Sequence, residues 1–174
     1  MPSTLAEFLR SDDAPRDDPA LRRIAKAAVA RFYTAIGRRD MDALREALTP
    51  DAVYEFPFSE SGSSDPAECR RFTGADAIIA FWRDTLSRDM RFGALEDVDL
   101  SILADGSRLF IEQRGDITLV DGTAYRNRYI FRYDIRDGRI AHVREYINPV
   151  ISARAFGRTL GPATYCEQEQ DHAE

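Results

Sequence analysis

The 174-residue sequence predicts a single α+β domain, a cone-shaped, curved antiparallel sheet wrapped around N-terminal helices. Three observations predict it. Apolar residues recur at helical spacing through most of the first half, and from about residue 90 the period changes to two. Asp-Gly pairs at 105–106, 121–122 and 137–138 then separate four alternating runs, the pattern of an antiparallel meander closed by two-residue turns. No repeat of 20–50 residues and no second domain is visible.

The elements follow in order. In "DDPALRRIAKAAVARFYTAIGRRD", Asp18 can cap a helix whose first residue is Pro19, and Leu21, Ile24, Ala25, Ala28, Phe32 and Ile36 form its apolar face. Gly37 can end it. A short helix capped by Asp40 carries Met41, Leu44 and Leu48 on one face and stops at Thr49-Pro50. "DAVYEFPF" reads as a strand broken by Pro57, and polar residues 59–72 as a loop. "TGADAIIAFWRDTLSR" restarts a helix, with Thr73 and Asp76 in a capping-box pattern and Ile78, Ile79, Phe81, Trp82 and Leu86 inside. The runs "ALEDVDLSIL", "RLFIEQRGDITLV", "AYRNRYIFRYDI" and "RIAHVREYINPV" are the four strands of the meander.

Alternation assigns the faces. Ala141, Val143, Glu145 and Ile147 share the more apolar side of the last strand, and Tyr125, Asn127, Tyr129, Phe131 and Tyr133 share the aromatic side of the strand before, with a bulge able to swap either set partway along. Glu145 is therefore a carboxylate in step with apolar residues. Burial disfavours its ionised form and can bring a carboxyl into the range of a general acid or base near neutral pH. The structural alternative is an ion pair, with Arg114 the candidate partner. Tyr54, Asn127 and Tyr129 are groups able to polarise a carbonyl or orient a hydroxyl. Tyr54, Phe56, Phe58, Phe81 and Trp82 either floor a pocket for a planar ligand or fill the cone, with Phe81 expected in the core and Trp82 and Phe56 in the pocket wall. His142 falls on the outer face.

The net charge of −6 sits at the ends. Residues 1–20 form an acidic arm of net charge −3, and residues 158–174 a tail of net charge −3, leaving the domain at 21–157 neutral. A neutral domain argues against nucleic-acid binding. The basic residues are arginine save Lys26, and neither cysteine nor histidine falls at metal-ligand spacing, so no metal is expected. No apolar run reaches membrane-spanning length and the N-terminus lacks a secretory pattern, so the expectation is a cytoplasmic protein that binds neither membrane nor nucleic acid.

The stretches "ARFYTAIGRRDMDALREALTPDAVYEFP", "TGADAIIAFW" and "YIFRYDIRDGRIAHVREYINPVISARAFG" resemble the nuclear transport factor 2-like superfamily, with its cystatin-like fold, over residues 21–157. Within it they are most similar to SnoaL-like polyketide cyclases and phenazine-biosynthesis A/B proteins. The resemblance implies a deep pocket, a homodimer formed through the outer sheet face, and an acid/base carboxylate at Glu145. It departs from the phenazine-type proteins at Phe81 and Thr85, where they carry histidine and serine. Phe56 stands where ketosteroid isomerases place their base. Phe32 stands where they carry a pocket tyrosine, with Tyr33 facing another way, and Tyr129 where they carry a neutral acid. The Asp-Arg-Asp set of limonene-epoxide hydrolases has no counterpart.

The expectation is a cofactor-free protein with proton-transfer chemistry of isomerase, cyclase or lyase type on a small cyclic or aromatic carbonyl compound. Glu145 is its general acid/base, Tyr129 and Asn127 its orienting donors, and Tyr54, Phe56, Phe58, Trp82, Phe131, Val143 and Ile147 its pocket. The alternatives are a non-catalytic metabolite-binding module and a dimeric assembly domain, and in either enzyme or module the partner is a small apolar or aromatic ligand.

Overall fold

The computed structural model describes residues 17–63 and 65–160. Most of the two charged arms lies outside them. Helix α1 (Pro19–Arg38) starts where Asp18 accepts from the Ala20 and Leu21 amides, two residues inside the expected arm. It buries Ala25, Ala28, Val29, Phe32 and Ala35. Leu21 and Ile24, expected in the core, stay exposed, because this first turn overhangs the sheet and covers the turns at Gly106 and Gly138. The helix also runs through Gly37 and ends with Arg39 in the left-handed region at φ 56°. Helix α2 (Met41–Ala47), capped by Asp40, leads into β1 (Leu48–Glu55).

The expected loop at 59–72 contains a 3-10 turn (Pro66–Glu68) and hands over to β2 (Arg71–Thr73), which pairs Phe72 with Tyr54. That pairing removes the expected capping box: Thr73 belongs to β2, and helix α3 (Ala75–Ser87) starts from Gly74 at φ 87° with no side-chain cap. Asp76 instead pairs with Arg45 at 2.6 Å.

Strands β3 (Arg91–Phe92), β4 (Glu96–Ile102), β5 (Arg108–Arg114), β6 (Ile117–Thr118), β7 (Ala124–Tyr125), β8 (Arg128–Arg136) and β9 (Arg139–Ile147) complete the sheets, and α4 (Pro149–Ala155) follows. The main sheet has the order β2-β1-β9-β8-β5-β4, antiparallel except where β1 runs parallel to β9. All three Asp-Gly pairs form turns, but only at Asp137-Gly138 are both φ values positive, 51° and 69°, as a type I′ turn requires. At the other two the aspartate accepts from the amide two residues on, Ser107 and Thr123, and only the glycine is left-handed.

Two expected strands are shorter than their sequence runs. The ring of Tyr129 lies 2.8 Å from where a Cβ on Gly115 would stand. The chain bends there, and β6 and β7 peel away to join β3 in a separate three-stranded sheet. In β9 a bulge at Ala141 shifts the register, pairing Asp134 with His142 and Ile135 with Ile140. Ile140, not Ala141, therefore enters the core, while Val143, Glu145 and Ile147 keep the inner face. The helices pack on that face, and one core runs from Phe32 through Tyr54 and Ile78 to Tyr133 and Val143.

Candidate active site

Strand alternation sets three rows of side chains on the inner face. Leu109, Tyr133, Val143 and Tyr54 form one, Ile111, Phe131 and Glu145 the next, and Gln113, Tyr129 and Ile147 the last. Tyr129, Phe131 and Tyr133 lie nearly parallel down β8, with ring centroids 5.5 and 6.0 Å apart. Opposite them Tyr54 meets Phe56 at 5.5 Å, Phe81 at 5.4 Å and Trp82 at 6.1 Å. Glu145 sits between these walls.

The Tyr54 hydroxyl donates to Glu145 Oε2, the one hydrogen bond its carboxylate receives among the described residues. No arginine pairs with it there. Arg114, the structural alternative, turns to Glu96 and to Asp97 at 3.7 Å. Burial pushes the Glu145 carboxyl up to about 7, and the charge of Glu60 adds to the rise. The Tyr54 hydrogen bond and the charge of Arg70 oppose it. The carboxylate is enclosed by aromatic rings, yet the residue keeps part of its accessible surface, so the wall does not seal it completely. Glu145 is thus divided between acid and base forms near neutral pH.

Two further tyrosines extend the polar centre. Tyr133 donates to the Tyr33 hydroxyl at 2.8 Å, leaving the Tyr33 proton free for another acceptor. Burial raises Tyr33 to about 12 and pushes Tyr54, Tyr129 and Tyr133 well up too, so all four are neutral donors at pH 7. Tyr33 had been expected to face elsewhere. The ring of Phe131 meets it edge-on at 6.4 Å, which places it in the hollow.

The structure brings together most of the predicted site but not all of it. Tyr54, Phe56, Phe131, Val143, Ile147 and Tyr129 are buried around Glu145, with Trp82 partly buried beside them. Asn127 is fully buried, but its amide is fully used: Nδ2 donates to the Tyr125 hydroxyl at 2.8 Å and to the Asn148 carbonyl at 3.1 Å, and Oδ1 accepts from the Arg128 and Asn148 amides. It holds the start of α4 against β8 and has no N–H left for a ligand. Phe58, 53% exposed, packs on Tyr146 across the outer face, away from Glu145. His142 is also on the outer face, its Nε2 3.0 Å from Glu55 Oε1.

Gln113 and the mouth residues Glu60 and Arg70 were not predicted. Gln113 was legible, since it is in step with Leu109 and Ile111. Glu60 and Arg70 come from irregular chain, which has no period to read. Arg70 pairs with Glu60 at 2.6 Å and lies 5.1–5.2 Å from the centres of the Phe56, Phe72 and Phe81 rings. Arg158, beyond α4, reaches the same Glu60 oxygen at 3.3 Å.

Two open grooves lie elsewhere. One of about 680 Å³ runs between α1, α2 and the Asp137-Gly138 turn, and one of about 530 Å³ passes Phe58, Ile130 and Tyr146 and reaches round to Gln113, Tyr129 and Ile147 of the inner face. Glu145 lines neither groove. Among the described residues no group of three or more potential metal ligands occurs, and no helix is long and apolar enough to cross a membrane.

With this geometry in place, comparison with known proteins becomes informative. The family model described as the SnoaL-like domain matches residues 29–143, about two thirds of the chain. The chain belongs to this SnoaL-like family. Its relatives include YesE of Bacillus subtilis strain 168, itself uncharacterized, 29% identical over 128 residues that cover 73% of this chain and 83% of YesE. Among solved structures, a proposed isomerase from Bacillus subtilis is similar at 27% identity and a TM-score of 0.67, covering 81% of this chain and 99% of its own. An NTF2-like protein from Burkholderia xenovorans LB400 is similar at 18% identity and a TM-score of 0.64, covering 77% and 96%. A phenazine-biosynthesis-related protein from Pseudomonas aeruginosa is similar at 17% and 0.63, covering 92% and 98%. The last two share the fold. The SnoaL-like chain thus has the NTF2-like architecture expected of it.

Proposed function

We propose that this SnoaL-like protein is a cofactor-free acid/base catalyst, of isomerase, cyclase or lyase type, acting on a small cyclic or aromatic carbonyl compound. Glu145 takes a proton from the carbon beside the carbonyl and returns it at the same or a neighbouring atom. Tyr33, and Tyr129 once its hydroxyl turns from Tyr125, donate to the oxygen on which charge develops, which neutral tyrosines in a dry site do well. Phe56, Phe131, Trp82 and Val143 hold the planar ligand and exclude water. One observation carries the reading: a carboxyl displaced to about 7 among aromatic rings, hydrogen-bonded by Tyr54 and paired with no arginine among the described residues. A carboxylate with a structural role alone would be expected to have such a partner. The isomerase proposed for the similar Bacillus subtilis structure agrees with it.

The test is proton exchange. The protein is incubated in D2O with 2-tetralone, a fused aromatic ketone with acidic α-hydrogens, and deuterium uptake is followed by mass spectrometry. The wild type should accelerate uptake, and Glu145→Gln should remove about 10²-fold or more of that acceleration. Equal uptake with wild type and variant would sink the proposal.

A further inference from the structure

Gln113 is 7% exposed, and its Oε1 is buried with no hydrogen-bond partner among the described residues. It projects from β5 on the inner face, opposite Tyr129 in register and two residues beyond Ile111. Its amide nitrogen is within hydrogen-bonding reach of the Tyr33 hydroxyl, which leaves Oε1 as the unpaired atom. A buried carboxamide oxygen left without a donor is disfavoured, and proteins pair such atoms with chain, water or ligand. Leu109 and Ile111 hold the two preceding inner positions with aliphatic groups, and a leucine would fit the pattern. On the α3 side of the same hollow, the Trp82 indole N–H is likewise buried without a partner, beside Tyr54. An unused acceptor on the sheet and an unused donor on the helix thus belong to the same inner layer as Glu145.

We infer that Gln113 determines specificity: its Oε1 accepts a hydrogen bond from a hydroxyl on the ligand, so that the substrates are hydroxylated planar carbonyl compounds. Trp82 Nε1 supplies the complementary donor to a ligand oxygen. This rests on the proposed role of the Glu145 hollow as the ligand site, and it adds the chemical feature by which that site chooses. A polar group built to meet a hydroxyl discriminates through what happens when the hydroxyl is missing. The analogue leaves a buried acceptor unpaired, which penalises it more than the lost contact alone.

The experiment compares 4-hydroxyacetophenone with 4-methoxyacetophenone, in which a methyl group replaces the phenolic proton, by calorimetric titration of the full chain. The wild type should bind the phenol at least about tenfold more tightly than the methyl ether, the ratio that one neutral hydrogen bond supports. Gln113→Leu should bring the ratio close to one while keeping the affinity for the ether, and its melting temperature should fall by no more than the loss of one hydrogen bond to Tyr33 explains. Gln113→Glu, which keeps an acceptor at the same place, should retain the preference. Equal binding of both compounds by the wild type overturns the inference, as does no binding of either. A preference that survives in Gln113→Leu, or a collapse of that variant's stability, overturns it too. An ordered water on Oε1 that both compounds leave in place has the same consequence. The titration does not require turnover. Preference without Glu145-dependent exchange would therefore reject the catalytic reading alone, and exchange without preference would reject the role of Gln113 alone.

Discussion

Tyr54 and Glu145 form the pair on which the proposed chemistry turns, and the sign of their interaction follows from their surroundings. The hydrogen bond favours the charged carboxylate, while burial favours the neutral acid and prevails, leaving the group near 7 against an ordinary 4.5. Because the folded value is raised, the contribution of this group to stability is fully present below the unfolded value. It is lost as pH rises through about 7, at most about 3 kcal/mol in all. The proposed base catalysis would gain over the same interval, so a little stability is exchanged for the ionised form it needs. Tyr54→Phe removes the group that favours the ion and leaves the ring packing in place. The midpoint of the exchange rate against pH should then move up by about one pH unit, the worth of a hydrogen bond to a charged group. A pH–rate profile with 2-tetralone checks it, and an unmoved or lowered midpoint would contradict the pairing. At this scale the sequence was informative wherever a residue kept step with a periodic neighbour: Glu145 stands out among Val143 and Ile147, and Gln113 equally so beside Ile111. Asn127 kept step too, yet serves the backbone at Asn148, because alternation reports a face and not the partner found there.

Among the elements, the meander was legible because period two and Asp-Gly turns act locally, whereas β2, the bend at Gly115 and the bulge at Ala141 depend on packing against distant chain. The parallel pairing of β1 with β9 is of the second kind. So is the role of Gly106. Its turn abuts the first turn of α1, with Asp18 donating to the Ala104 carbonyl at 2.8 Å, and a Cβ on Gly106 would lie 2.5 Å from the Leu21 carbonyl carbon. With φ at +67° the position also resists any L side chain. Gly106→Ala should therefore cost about 3 kcal/mol, combining left-handed strain with overpacking against backbone that cannot yield. Gly122, at φ +85° in the β6–β7 turn with open space around it, isolates the first component. Gly122→Ala should cost about 1 kcal/mol. Urea denaturation of both variants decides the matter, and equal losses would show that the contact with α1 contributes nothing.

On the scale of the whole molecule, the Glu145 carboxyl on the inner face of the curved sheet is influenced by charges that the fold gathers from separated segments. Glu60 lies in the irregular chain after β1, Arg70 precedes β2, and Arg158 follows α4; the three converge through Glu60. Glu60 raises Glu145 and Arg70 lowers it. The mouth of the cone thus holds opposing charges whose effects on the buried group partly cancel, with Arg70 held over three aromatic rings. The balance makes an expectation that ordinary damage cannot imitate. Glu60→Gln should move the pH midpoint of exchange down, because a like charge is removed, and Arg70→Gln should move it up, because an opposite charge is removed. If either substitution merely loosened the mouth and admitted water, desolvation would weaken and both midpoints would fall toward the ordinary carboxylate range. Opposite movements in the two pH–rate profiles therefore identify electrostatic control of Glu145 from the mouth, and movements of the same sign identify a solvent seal in its place.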